Sequence, residues 1–165
     1  MNKSLREFGD YQKIVEVKIR NWTENMLVGY LVACDKEGVI LYNINCRGVG
    51  TGIFYLPVNK IISVSEKTIY LKKITTLLEE HQLQLPIYHN RKMGKLKSYL
   101  LNYFHDNNRM IRLNVREKEV IGIISCINDG WVTLETFELI CGKRTGCSVI
   151  LEEQIEIFGE IQYSC

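Results

Sequence analysis

Two stretches of the chain alternate apolar and polar residues, the pattern of a β-strand with one buried face. In IVEVKIR (14–20) and in IRLNVR (111–116), every second residue is apolar. Each stretch is followed by a glycine that opens another apolar run, GYLVAC from Gly29 and GIISC from Gly122. A polar turn and a third apolar run come next in both places. The pattern therefore predicts two similar sets of short strands.

Between the two sets, the spacing of apolar residues is that of helices. TIYLKKITTLLEEHQ (68–82) has this spacing and is ended by Pro86. The clearest helix is KLKSYLLNYFHDN (95–107), and we interpret its apolar stripe as the face that packs against the β-structure. A further short helix is predicted within residues 2–11. The stripe consists of Leu96, Tyr99, Leu100, Tyr103 and Phe104.

The two sets of strands also align with each other. RGVGTGIFYLPVNKI (47–61) matches CGKRTGCSVILEEQI (141–155) without a gap, and the offset of 94 residues keeps the turn glycines in place. Cys34 and the glycine four residues later match Cys126 and its glycine at an offset of 92. Shared glycines, cysteines and strand order predict an internal duplication.

Each copy holds about five short strands in ~55 residues. An open sheet of this size would leave a bare face and unpaired edges, and closure into a small barrel removes the edges. We therefore predict a mainly β (α+β) fold of two tandem five-stranded small barrels joined by a helical linker. The predicted parts are 1–66 (first barrel, with its short N-terminal helix), 67–108 (linker) and 109–165 (second barrel).

This order of elements resembles the Sm-like fold of Sm, LSm and bacterial Hfq-type proteins, a form of the SH3-like small barrel. A second family segment, an aliphatic strand that ends in an I-x-x-V-like run, resembles IFYLPVNKIISV (53–64). The resemblance covers 14–64 and, more faintly, 110–158, and it implies RNA binding and assembly through strand edges. The residues that fit the first family motif are Gly29, Leu31, Asp35, Val39 and Leu41.

The chain departs from this family at the positions that contact RNA. The asparagine expected four residues after the aspartate is Val39, and the Lys-His pair of Hfq-type proteins falls on Val58 and Asn59. The second copy has two glutamates there, at 152–153, and carboxylates repel phosphate. The resemblance leaves Asn59 and Lys60 as the polar candidates of the first copy.

Charge is unevenly distributed, although the net charge is only +2. Residues 87–108 form a basic island with a single acidic residue, whereas 109–165 is acidic. Tyr88 and Tyr99 lie in the island and could stack on bases. The island either binds RNA or forms a solvated helix face, and both interpretations stay open. Its basic residues are Arg91, Lys92, Lys95 and Lys97.

The segment CRGVGTGIFYL (46–56) has three glycines in five residues, which raises the question of a phosphate-binding loop. A dinucleotide fingerprint needs G-x-G-x-x-G followed by a helix, but these glycines alternate and the following IFYLP is typical of a strand. We predict a strand-to-strand turn that needs a positive φ at Gly48 and Gly52. Arg47 in this turn, and Lys143 and Arg144 in the second copy, are candidate contacts for a partner.

Little in the chain is typical of an enzyme. The six cysteines form no C-x-x-C pair and lie apart from the three histidines, so we predict reduced thiols and no metal site. Acidic residues at 35, 37 and 152–153 are predicted to be hydrated loop tips. We expect no catalytic residue and no cofactor. No apolar run approaches the roughly 18 residues of a membrane span, so we expect a cytoplasmic protein without membrane contact.

The leading functional prediction is a non-enzymatic Sm-like module that binds RNA through the basic linker and the first barrel. The alternative is a protein-interaction or assembly module that forms a homo-oligomer through its strand edges without nucleic acid. An enzyme that uses the cysteines or the glycine turns is the weakest of the three. The candidate nucleic-acid-binding residues are Arg47, Asn59, Lys60, Tyr88, Arg91, Lys92, Lys95, Lys143 and Arg144.

Overall fold

A computed structural model describes residues 14–20, 22, 26–81, 95–116, 118–138 and 141–161, of which the side chains at 80 and 81 are excepted. The first five strands are β1 (Ile14–Ile19), β2 (Met26–Cys34), β3 (Gly38–Ile44), β4 (Gly50–Pro57) and β5 (Ile61–Ser65). The helices α1 (Ile69–His81) and α2 (Leu96–Asp106) follow. The later strands are β6 (Met110–Val115), β7 (Lys118–Asn128), β8 (Trp131–Phe137), β9 (Arg144–Leu151) and β10 (Ile155–Glu160). The helix predicted within 2–11 lies outside the described residues.

All ten of these strands belong to one antiparallel sheet, in the order β5-β1-β2-β3-β4-β10-β6-β7-β8-β9. The prediction of two five-stranded barrels joined by a helical linker is therefore wrong. It assumed that each copy closes on itself to satisfy the backbone groups at its edges. Instead, β4 of the first half bonds to β10 of the second half, so one sheet runs through both halves and is not closed.

The repeat predicted from the sequence is visible in the strand pairing. The order β5-β1-β2-β3-β4 of the first half recurs as β10-β6-β7-β8-β9 in the second. A bulge interrupts the pairing of β2 with β3 between Leu31 and Ala33, and one interrupts the pairing of β7 with β8 between Ile124 and Cys126. The two halves thus share both strand order and local irregularities.

The cysteine match in the predicted repeat is wrong by one residue. Cys34 lies opposite Val39, and the same place in the second half is held by Ile127 opposite Val132. Both turns have the same number of residues between these paired positions, so one offset, 93 residues, relates β2 to β7 and β3 to β8. The match at an offset of 92 relied on a shared cysteine and a shared glycine that do not occupy the same places, and Cys126 is equivalent to Ala33, the residue before Cys34.

The predicted turn between β3 and β4 is present at the start of the glycine-rich segment and contains Gly48, whereas Gly50 and Gly52 already belong to β4. The Asn45 Oδ1 atom accepts hydrogen bonds from the backbone N–H groups of Arg47 (2.9 Å) and Val49 (3.0 Å). Gly48 has a φ of 75° and Gly52 a φ of 113°, conformations that favour glycine. The side chain of Asn45 and the backbone of the turn therefore supply its structure, without any need for a bound phosphate.

Both helices lie where the periodicity predicts them, but they pack on the sheet. The buried face of α1 consists of Leu71, Ile74 and Leu78, which form a cluster with Val28 and Ile44. The α2 helix buries Leu96, Leu100, Leu101 and Phe104 in a cluster that draws on both halves of the sheet. Of the predicted α2 stripe, Tyr99 is exposed and Tyr103 is half-buried. In the described part of the chain, no helix is long and apolar enough to span a membrane.

Candidate interaction site at the seam and the free sheet edges

The two halves meet at a seam, defined here as the pairing of β4 with β10. Tyr55 lies opposite Phe158, and Phe54 lies opposite Gly159. The rings of Tyr55 and Phe158 stack with their centroids 5.1 Å apart, and Phe104 of α2 meets Phe158 edge-on at 6.2 Å. All three rings are buried. The seam is thus an aromatic interior built jointly by the two halves and α2.

Two glycines allow the backbones of the halves to approach each other at the seam. A Cβ atom on Gly159 would overlap the ring of Phe54. A Cβ atom on Gly52 would lie 2.8 Å from the Cβ atom of Glu160, closer than such atoms normally approach. These positions require glycine because the other half occupies the space of a side chain.

Charged groups flank the aromatic part of the seam. Lys60 Nζ lies 3.0 Å from Glu156 Oε2, which joins the connection before β5 to β10, and both side chains are less than one-third exposed. At the other end, Arg109 Nη1 lies 3.3 Å from Glu160 Oε1. Burial raises the pKa of Glu160, and the positive charge of Arg109 opposes that rise. Arg109 and Glu160 both belong to the second half, whereas Lys60 belongs to the first half and Glu156 to the second. The ion pair that crosses the seam is therefore that of Lys60 with Glu156.

The sheet ends in two strands that pair on one side only, among the residues that the structure describes. β5 pairs with β1, and β9 pairs with β8. Each of these free edges has one large apolar side chain facing solvent: Ile62 is 60% exposed and Val149 is 61% exposed. Strand edges with exposed apolar side chains are places where another chain can add a strand.

β9 is the equivalent of β4, and its burial is the reverse. The offset of 94 residues places Val149 where the first half has Tyr55, which is only 2% exposed. In β4, six of eight residues are buried, whereas none of the eight residues of β9 is. β4 is covered because the second half docks on it, and no described part of the chain does the same for β9.

Two acidic side chains hold α2 against the ends of the sheet. Asp35 Oδ2 accepts a hydrogen bond from the backbone N–H of Leu96 (3.0 Å), while its Oδ1 atom accepts from Gly38 N–H (2.8 Å). The Ser98 hydroxyl donates to Glu152 Oε1 at 2.6 Å. Asp35 and Glu152 were predicted to be hydrated loop tips, and that prediction is wrong. The D-x-x-G spacing predicts the turn at Asp35. Nothing in the sequence predicts the hydrogen bond between Asp35 and the distant helix α2.

Among the predicted nucleic-acid contacts, Asn59 and Lys60 share a cavity of about 540 Å³ beside the seam. Its charged lining is mixed, and a neighbouring cavity of about 480 Å³ shares three of the same residues. Burial lowers the pKa of Lys97 in this groove, although surrounding glutamates oppose the shift. Carboxylates thus balance the cations there. The charged residues of the larger cavity are Lys36, Glu37, Lys60, Lys97, Glu153 and Glu156.

The remaining predicted contacts lie in separate places. Arg47 is exposed in the turn before β4, and Lys60 follows the end of β4, so a strand of eight residues, roughly 25 Å, separates them. Lys143 is exposed before β9, and Arg144 Nη2 lies 3.2 Å from Glu135 Oε1. Lys95 is exposed at the start of α2 and lines the smaller cavity. Tyr88, Arg91 and Lys92 lie outside the described residues.

The cysteines that the structure describes form no disulfide with one another. They are Cys34, Cys46, Cys126, Cys141 and Cys147. Within the same residues, no three His, Cys, Asp or Glu side chains are grouped so that they could hold a metal ion. The features that the geometry concentrates are therefore the seam and the two free edges.

Comparison of the chain with known protein families, with curated proteins and with solved structures finds no match. The resemblance to Sm-like proteins receives no support from these comparisons and stays a prediction.

Proposed function

We propose that this chain is a protein-interaction module that assembles into an oligomer through its free sheet edges, without nucleic acid. The observation that carries the proposal is the contrast between Tyr55, buried at the seam, and its equivalent Val149, which is 61% exposed. The same position is a docking surface in one half and bare in the other. The proposal assigns no catalytic step to the chain.

The chemistry of the free edges suits a protein partner. An edge strand presents backbone N–H and C=O groups that another strand can pair, and exposed apolar side chains add burial energy to that pairing. Ile62 on β5 and Val149 on β9 are both more than half exposed. Natural proteins normally protect such edges with charges, prolines or coverage, so an apolar residue at each end of the sheet favours a docking role.

RNA binding is the competing prediction, and two of its candidate cations are already paired with carboxylates. Lys60 pairs with Glu156, and Arg144 pairs with Glu135. Glutamates would weaken the attraction of any groove near them for phosphate. The lack of a disulfide among the described cysteines fits a reducing compartment, and we include a cytoplasmic location in the proposal.

The test is a mass measurement by light scattering and sedimentation over a range of protein concentrations. We expect a particle larger than the monomer that carries no absorbance from nucleic acid and that survives nuclease treatment and high salt. Loss of the particle on nuclease treatment, or a steep fall of its stability with salt, would instead assign it to RNA binding.

A matched pair of variants connects the assembly to the edges. Val149→Lys places a charge on the free edge of β9, and Val49→Lys places one on an exposed apolar residue in the turn between β3 and β4, which are central strands of the sheet. We expect Val149→Lys to shift the particle to monomer and Val49→Lys to leave its mass unchanged. A monomer at every concentration in the unaltered chain overturns the proposed function.

A further inference from the structure

The antiparallel pairing of β4 with β10 at the seam has an equivalent that can form between two copies of the chain. We infer that β9 of one copy pairs antiparallel with β5 of a second copy, with Val149 opposite Val64 and Ser148 opposite Ser65. This inference rests on the proposed function and names its partner, a second copy of this chain, together with the direction and register of docking.

The register follows from the repeat. An offset of 94 residues takes β4 to β9 and takes β5 to β10, including the short 3-10 turns between them, Val58–Lys60 and Glu152–Gln154. At the seam, the residue pairs are Tyr55 with Phe158 and Phe54 with Gly159. Applied to these pairs, the offset places Val149 opposite Val64 and Ser148 opposite Ser65.

The side chains at these positions suit the pairing. Val64 is half-buried and packs against the core of the first half, which also contains Val15 and Val17. Directly opposite residues in a sheet point to the same face, so docking would bring the exposed Val149 onto Val64 and bury both. Ser65 and Ser148 are half-buried and would meet on the other face, where two hydroxyls can hydrogen-bond.

Docking of this kind joins two different edges, so it is head-to-tail. Each added copy again exposes one β5 edge and one β9 edge, and the assembly stops only if the rotation between copies closes a ring. A dimer held by a single isologous interface would instead pair β5 with β5 or β9 with β9. The seam offers no precedent for either pairing. The inference therefore predicts a ring or a filament.

The contact between copies is weaker than the seam. In place of the Tyr55–Phe158 stack it has two valines, and the offset places Gln154 and Ile62 where the seam has Lys60 and Glu156. With less aromatic area and no ion pair, we expect an association that depends on concentration and reverses on dilution.

The experiment uses engineered cysteines in a full-length background whose six native cysteines are replaced by serine or alanine. Its mass must first match that of the unaltered chain. One sample carries Ser65→Cys, and a second carries Ser148→Cys. Directly opposite residues lie close enough for a disulfide under mild oxidation. We expect a cross-linked pair in the mixture of the two variants and none in either variant alone.

Val149→Cys is the matched control for the register. Its thiol lies one residue from Ser148 and on the other face of the strand, so its mixture with Ser65→Cys should not cross-link. Cross-linking of Ser65→Cys with itself, or of Ser148→Cys with itself, would overturn head-to-tail docking. So would the absence of every cross-link in a sample whose mass shows an oligomer. A monomeric chain would overturn the proposed function as well.

Hydrogen exchange on the unaltered chain gives a second measurement that needs no cysteine replacement. As the protein concentration rises, backbone amides of β5 and β9 should gain protection together, because each contact covers one edge of each kind. Protection of only one of the two strands contradicts the inference.

Discussion

β4 and β9 are the same strand of the two halves, yet one is central in the sheet and the other is its edge. Most of β4 is buried, with β3 on one side and β10 on the other. Among the described residues, β9 has β8 on one side and no strand on the other, and its Val149 faces solvent. Burial of this strand therefore depends on what lies beside it, and the described part of the chain supplies a neighbour on both sides for β4 but not for β9.

The residues of the seam and their equivalents on the free edge of β9 also differ in size and polarity. Phe54 and Tyr55 at the seam correspond to Ser148 and Val149 on the free edge. Large aromatic side chains give a permanent interior, whereas small and half-polar ones are tolerated by a surface that is solvated until a partner binds. Phe54 and Tyr55 are buried within the chain, whereas Ser148 is half-buried and Val149 is exposed.

The largest expected effect comes from removing the central ring of the seam. Phe158→Ala leaves a cavity against Tyr55 and Phe104, so we expect the free energy of unfolding to fall by about 3–5 kcal/mol. Val64 is the equivalent residue on the free edge, and Val64→Ala should cost about 1 kcal/mol. Urea denaturation of the two variants measures the difference. Equal losses would mean that the seam is no better packed than the edge.

Gly159 allows a sharper comparison, because its equivalent is Ser65. In Gly159→Ala the new methyl group overlaps the ring of Phe54, and we expect a loss of about 1–3 kcal/mol from overpacking. Ser65→Ala, on the free edge, should change stability by less than about 0.5 kcal/mol. Urea denaturation of the two variants measures both changes in the free energy of unfolding. A neutral Gly159→Ala would contradict the close approach of the two backbones.

The support that the first half gives to α2 can be tested at Asp35. Its carboxylate accepts a hydrogen bond from the first backbone N–H of α2, so Asp35→Ala should cost about 1 kcal/mol. Hydrogen exchange should also increase at Leu96. Asp129, in the equivalent turn of the second half, is the control, and Asp129→Asn should be neutral within about 0.5 kcal/mol. Unchanged exchange at Leu96 would rule out the cap.

The smallest expected effect is that of the ion pair across the seam. A double-mutant cycle with Lys60→Met and Glu156→Gln should give a coupling energy of about 0.5–1 kcal/mol, because both side chains are mostly buried but still reach solvent. The coupling should shrink in 1 M salt. A coupling that is zero, or that does not respond to salt, would show that the pair adds nothing to docking.

Several elements could be predicted because their signal is local. Alternation identified β1 and β6, and helical spacing identified α1 and α2. Alternating glycines before an apolar run identified the turn between β3 and β4, where Gly48 has a positive φ. The cysteine match failed because a cysteine and a glycine coincide at an offset of 92, whereas the pairing of the strands sets the offset of this region at 93.

The pairing of β4 with β10 was not predicted, although the apolar pattern of β4 gives one indication of it. The run IFYL within β4 is apolar at successive positions, which is typical of a strand covered on both faces, whereas CSVIL in β9 is less so. That contrast between the copies indicates unequal surroundings. The hydrogen bonds of Asp35 and Glu152 to α2 could not be found in the same way, because each joins segments more than 50 residues apart.

The strands, the helices, the turns and the repeat can be read from the chain, because each of these depends on the spacing of apolar and turn-forming residues along a short stretch. Which strand lies beside which is settled by the packing of the folded chain. Backbone hydrogen bonds between strands are alike for every sequence, so an apolar strand face can meet a core from its own half or from the other. Here β4 pairs with β10, so one sheet runs through both halves, and β5 and β9 are its outer strands among the described residues.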